Sequence, residues 1–245
     1  MQIDSAWKAP LRRAFAALGY EVSKVDARPP AEPPAPRGPT GARLPLWSQD
    51  AAFQALRREI EGPTAVGEGD SYLLFQFAEQ VRTLPGDVAE VGVYKGGTAR
   101  LLAKTLGPAG KTVHLFDTFS GMPDPDPAKD WHQAGDFADT SVEAVREYLA
   151  DCPNVRLYAG LFPDTAGPIA GAEFCLVHTD VDIYPSVLAC CEFFYPRLVR
   201  GGVLVFDDYA RDSCPGATAA VDEFFADKPE RLVYPPGLQA FVVKL

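Results

Sequence analysis

At 245 residues with a formal net charge of −10, the chain is long enough to bury one α/β core with residues to spare, and it lacks the basic surface a nucleic-acid-binding protein needs. Its five cysteines (Cys152, Cys175, Cys190, Cys191 and Cys214) are odd in number and contain no C-x-x-C pair, which argues for reduced thiols in a cytoplasmic protein. The N-terminus has no signal-peptide pattern and no apolar run approaches membrane-spanning length, so no membrane partner is expected.

In chain order, Trp7, Leu11, Phe15 and Leu18 recur at helical spacing. Residues 28–39 (RPPAEPPAPRGP) then hold six prolines, which exclude a helix or central strand and predict an extended arm. The boundary therefore falls between an arm at 1–39 and a domain at 40–245. Helices are predicted over 49–61 and 71–82. From Asp87 the pattern alternates, with strands expected at 88–93, 112–116, 155–158, 174–177 and 203–206. Helices are expected between them at 98–106, 141–149 and 185–198, and after the last at 216–225. Regular β-α alternation predicts a parallel sheet with helices on both faces. Two further strands, 231–234 and 238–244, are separated only by Pro235-Pro236-Gly237, too close for a crossover, so they must be antiparallel. The expectation is a Rossmann-like, seven-stranded, mostly parallel sheet ending in an antiparallel C-terminal hairpin, the class I methyltransferase fold.

Ligands of such sheets bind outside the carboxyl ends of the strands. Two acidic clusters fall there: His178-Thr179-Asp180-Val181-Asp182 and Phe206-Asp207-Asp208-Tyr209, each after an apolar run. An Asp after a strand is often only a turn residue or helix cap, which explains the paired arrangement poorly. Carboxylates gathered at one edge repel unless a cation sits among them, and oxygen donors without Cys or His at ligand spacing suit Mg²⁺.

The first β-α turn, Glu90-Val91-Gly92-Val93-Tyr94-Lys95-Gly96-Gly97-Thr98, lets main chain approach a ligand at its glycines, with Thr98 at the helix start. Its spacing is not G-x-G-x-x-G, and a carboxylate at Glu90 suits a ligand bearing an ammonium group, such as S-adenosylmethionine, better than a pyrophosphate. Asp117 ends the second strand, where an acid commonly holds ribose hydroxyls; the alternative is a turn cap. The expected cofactor shell is Glu90, Gly92, Val93, Tyr94, Gly97, Thr98, Asp117, Thr118 and Gly160. His178 and His114 read as structural histidines, and His132 as a border of the acceptor pocket. The long connection 120–140, carrying Trp131 and Phe137, reads as a lid.

Several phrases together give a family resemblance: EVGVYKGG (90–97), FDTFSGMP (116–123), GDFADTS (135–141), LFPDT (161–165), HTDVDIYPS (178–186) and FDDY (206–209). They resemble the macrocin O-methyltransferase family, whose members methylate deoxysugar hydroxyls of macrolides and related natural products. The match spans about half of the chain; the residues before Asp50 match no part of it. The resemblance implies that Asp180, Asp207 and Asp208 hold a divalent metal, usually Mg²⁺, and that Asp182 is the general base; a metal-orienting acid is the other reading of Asp182. By analogy alone, Asp136 and Phe137 touch the adenine end. The expected activity is Mg²⁺-dependent methyl transfer from S-adenosylmethionine to a hydroxyl of a small-molecule sugar or glycoside, with Asp180 and Asp182 catalytic and a homo-oligomer possible. The rivals are a catechol-type phenol O-methyltransferase, a nicotinamide-dependent oxidoreductase and a non-catalytic binding module.

Overall fold

A parallel sheet organises the molecule: β1 (Asp87–Val91), β2 (Val113–Asp117), β3 (Val155–Ala159), β4 (Phe174–Thr179) and β5 (Leu198–Phe206), with β6 (Ala240–Val243) antiparallel to β5. The spatial order is β3-β2-β1-β4-β5-β6. The computed structural model describes residues 46–245 except Leu238, and Arg13 besides; the expected N-terminal helix and proline arm lie outside the described residues. Residues 45–245 form one compact unit.

The sheet has six strands among the described residues, not the seven expected. The stretch 231–234 makes only an isolated antiparallel bridge, Val233 to Phe241. Pro235 and Pro236 follow it without N–H groups to extend a ladder. Val233 and Tyr234 are 45% and 41% exposed, and only Leu232 of the stretch packs, partly buried, against the core.

Helices cover both faces. On one lie α1 (Ala51–Ile60), α2 (Glu68–Val81), α3 (Gly97–Leu106) and α4 (Val142–Tyr148), packing Phe53, Leu74, Leu101 and Val145 against Val113, Leu115, Val203 and Val205. On the other lie α5 (Tyr184–Phe194) and α6 (Pro215–Phe225), packing Val187, Phe194, Ala217 and Val221 against Ala89, Val91, Leu204 and Phe206. The strand alternation explains both cores: Val203 and Val205 face one layer, Leu204 and Phe206 the other. Helix starts follow local chemistry. Asp50 Oδ1 accepts from the amides of Ala52 (3.1 Å) and Phe53 (3.0 Å), and Ser141 Oγ accepts from Ala144 N at 3.2 Å, satisfying amides that have no intrahelical partner.

β1 and β4 lie side by side at the sheet centre, and where they end the chain turns away in opposite directions. This switch point, where strand order reverses, opens the crevice described next.

Candidate active site

A cavity of about 280 Å³ lies at the carboxyl edge of the sheet. It is lined by Gly92, Tyr94, Asp117, Thr118, Asp136, Phe137, Gly160, Asp180, Asp182, Asp207 and Asp208 from the expected set. Met122, His132, Leu161, Phe162, Arg211 and Cys214 are among the other lining residues.

Gly92 is required by close approach. It has φ +87, and a Cβ there would stand 1.7 Å from Asp180 O, so the ends of β1 and β4 could not meet with any larger residue. Asp117 ties the turn after β1 to β2. One carboxylate oxygen accepts from Val93 N (2.7 Å) and Tyr94 N (2.9 Å), the other from Phe119 N (2.7 Å). These bonds hold the turn, and the Asp117 side chain also lines the cavity.

Four expected cofactor residues are not on the wall. Val93 contributes only its amide to Asp117. Thr98 is buried within α3. A Cβ on Gly97 would meet Thr64 Cβ at 2.5 Å, so this glycine lets the loop between α1 and α2 pack on the start of α3. Glu90 is fully buried; its Oε1 accepts from His178 Nδ1 at 2.8 Å, across the β1–β4 register, while Oε2 has no partner. Burial opposes a charge on His178, yet the carboxylates of Asp207 and Glu90 hold its pKa well above the ordinary imidazole value. His178 is thus the core histidine expected, and so is His114, whose Nδ1 lies 3.0 Å from Tyr158 Oη.

The carboxylate cluster occupies the other wall. Oxygens of Asp180, Asp182 and Asp208 lie within 4.8 Å of one another, as do donor atoms of His178, Asp180 and Asp207. Burial, then the charges of Asp207 and Asp208, push Asp180 well above the usual carboxylate range. Asp208 is pushed up likewise by burial and by Asp182 and Asp207. Asp207 goes the other way: burial opposes its charge, but His178, Gln239 and Arg211 lower its pKa. Arg211 Nη2 sits 3.1 Å from Asp207 and 3.5 Å from Asp70, and Gln239 Nε2 donates to Asp207 while its amide donates to Asp70 Oδ1 at 2.9 Å. Asp182 has φ +57, unusual for a residue with a Cβ; its amide donates to Asp208 Oδ2 at 2.9 Å. Burial raises the Asp182 pKa as well, opposed by the nearby His132.

The connection 120–140 is anchored as a wall. Asp130 Oδ1 accepts from Tyr184 N at 2.9 Å, at the start of α5. Tyr94 Oη donates to Asp139 at 2.8 Å, and Lys95 Nζ pairs with Asp139 at 2.6 Å. His132 Nδ1 bonds Asp136 at 3.1 Å, placing its other nitrogen 3.7 Å from Asp182 Oδ1. Trp131 is 72% exposed and is not on the cavity wall. Sequence reasoning missed Arg211, Gln239, Asp70 and Cys214. Arg211 alone carried a signal, its spacing of four residues from Asp207 in a short turn.

The macrocin-O-methyltransferase (TylF) family model matches residues 63–230. An 8-demethyl-8-(2,3-dimethoxy-alpha-L-rhamnosyl)-tetracenomycin-C 4'-O-methyltransferase of Streptomyces olivaceus is 30% identical over 148 residues, 55% of this chain and 57% of the relative. Mycinamicin III 3''-O-methyltransferase of Micromonospora griseorubida is 33% identical over 54% of this chain and 58% of the relative. The chain thus spans under three fifths of the length of these curated relatives. The solved structure of the O-methyltransferase NovP superposes with a TM-score of 0.66 at 26% identity, covering 78% of this chain and 88% of that one. With the family model spanning more than half of the sequence and the site acids falling within it, the chain belongs to the macrocin-O-methyltransferase (TylF) family.

Proposed function

We propose that this chain is an S-adenosylmethionine-dependent O-methyltransferase that uses a divalent ion, Mg²⁺ by preference, to methylate a sugar hydroxyl of a natural product or glycan. The observation that carries the reading is one cavity with two unlike walls. One is a glycine turn and strand end suited to a nucleoside; the other is a cluster of four carboxylates, Asp180, Asp182, Asp207 and Asp208. Membership of the family supports methyl transfer, and the rhamnosyl 4'-O-methyltransferase name of one relative supports a sugar acceptor.

The donor set fits a hard cation. Asp180, Asp182 and Asp208 offer oxygens only, with Asp207 beside Asp180, and the mutual repulsion of these acids under burial is relieved by a positive charge. When bound, the sulfonium cofactor supplies an electrophilic methyl group, and the divalent ion lowers the pKa of a hydroxyl beside it. The protein residues do the rest. Gly92 and Gly160 form part of the nucleoside-side wall, Gly92 by letting β1 and β4 close on each other. Phe137 and Leu161 flank the cavity with apolar surface. Asp182 takes the acceptor proton, and His132, held by Asp136, fixes the direction in which the Asp182 carboxylate faces.

The test is an acceptor panel with a labelled-methyl cofactor, comparing deoxysugar glycosides with catechols. Label in the sugar products supports the reading. Label confined to phenols refutes the sugar acceptor, and no transfer to any acceptor by protein that binds nicotinamide cofactor refutes methyl transfer altogether.

A further inference from the structure

On the lid side of the cavity, three side chains from separated parts of the chain converge: His132 from the lid connection, Asp182 after β4, and Cys214 at the start of α6. Cys214 Sγ lies 3.6 Å from His132 Nε2 and 3.5 Å from Asp182 Oδ1, and His132 Nε2 lies 3.7 Å from Asp182 Oδ1. A tetrahedral zinc site with Zn–S of about 2.3 Å and Zn–N or Zn–O of about 2.0–2.2 Å has S···N and S···O edges of about 3.6 Å and an N···O edge of about 3.4 Å. The observed triangle matches those edges to within a few tenths of an ångström.

One further observation points to a metal. His132 Nδ1 is bonded to Asp136 Oδ2 at 3.1 Å, which places the lone pair of Nε2 towards Cys214 and Asp182. This carboxylate–histidine arrangement is the one that orients zinc-binding imidazoles. All three residues line the cavity, so the fourth position is open to it, as in zinc sites that keep a water or take a ligand.

We propose that His132, Asp182 and Cys214 form a second divalent-metal site, selective for thiophilic ions such as Zn²⁺, which adjoins the all-oxygen group of Asp180, Asp182 and Asp208 and shares Asp182 with it. A soft sulfur donor disfavours Mg²⁺ and favours Zn²⁺ or Co²⁺. On the methyl-transfer reading given above, an ion held there removes Asp182 from proton transfer, so Zn²⁺ acts as a blocking ion even when Mg²⁺ is in excess.

Co²⁺ is the probe, because a cobalt–thiolate bond gives a charge-transfer absorption that oxygen ligands do not. The full chain, kept in excess Mg²⁺, is titrated with Co²⁺ and then with competing Zn²⁺. The band should appear in the wild type and vanish in Cys214→Ser. Co²⁺ affinity should fall at least about tenfold in His132→Ala, and about 10–100-fold in Asp136→Asn, which acts through His132. Thermal melting of each variant establishes that it is folded. No band in the wild type, or one that survives Cys214→Ser, overturns the site. Turnover separately tests the blocking role: Zn²⁺ should inhibit the wild type at least about tenfold more than Cys214→Ser, each relative to its own zinc-free rate, and equal inhibition overturns that role while the band still decides the site.

Discussion

Glu90 separates two accounts of the strand end, and Glu90→Gln tests them. As an acid facing the cofactor, it would contribute to binding and little to stability. In the structure it is fully buried, with Oε1 2.8 Å from His178 Nδ1 and Oε2 without a partner. The amide keeps the shape but removes the charge that balances His178 and places a donor where no acceptor waits. Removing one partner of a buried ionic pair costs about 3–5 kcal/mol. At about 2–4 °C per kcal/mol for a unit of this size, the melting temperature should fall by roughly 6–20 °C. The assay pairs chemical denaturation with calorimetric titration of S-adenosylhomocysteine well below the variant's melting point. The expected outcome is a large loss of stability with affinity changed less than about threefold. Near-normal stability with affinity lowered about 100-fold would refute the argument and return Glu90 to the cofactor wall.

Asp182→Asn keeps size and polarity but removes basicity, so turnover should fall about 10²–10⁴-fold with cofactor affinity unchanged, measured by initial rates and titration; near-normal turnover would transfer the proton to another group. Gly97→Ala should destabilise by about 1–3 kcal/mol in denaturant. Thr64→Ala should fail to rescue it, because the Thr64 main-chain N and Cα also stand 2.7 and 2.8 Å from the added carbon. Burial opposes charge on Glu230, but hydrogen bonds from Tyr195 and Lys244 bring its pKa from the ordinary 4.5 down to about 2. A depressed folded-state pKa gives stability that is present above the unfolded value and lost as pH falls from about 4.5 towards 2, so Glu230→Gln should flatten the acid limb of the pH–stability profile in that window.

The strands and helices of residues 87–225 were legible because buried parallel strands read as short apolar runs separated by helical periods. Asp180, Asp182, Asp207 and Asp208 were legible for the same reason: an acid that ends such a run must emerge at the carboxyl edge of the sheet. What pairs across the fold was not. The bond between Glu90 and His178 depends on the register of β1 against β4, and the Asp70–Gln239 contact joins residues 169 positions apart. A glycine near a turn looks the same in sequence whether it admits a ligand or a neighbouring loop, and the approach of Thr64 to Gly97 appears only in the fold. The seventh strand failed because only Val233 bridges to Phe241 and the two prolines that follow lack N–H groups to continue the ladder. His132 and Cys214 share no local spacing, so their convergence on Asp182 appears only once the lid connection is folded against α6.

The central claim is that the carboxylate cluster works through a divalent ion while the cofactor is held on the opposite wall. Methyl transfer followed in one sample before chelator, after chelator and after Mg²⁺ is returned tests it most directly, with S-adenosylhomocysteine affinity measured at each stage. The account predicts that turnover is abolished and then restored while affinity stays constant, and that Asp207→Ala is not restored by Mg²⁺. Full turnover in excess chelator would contradict it.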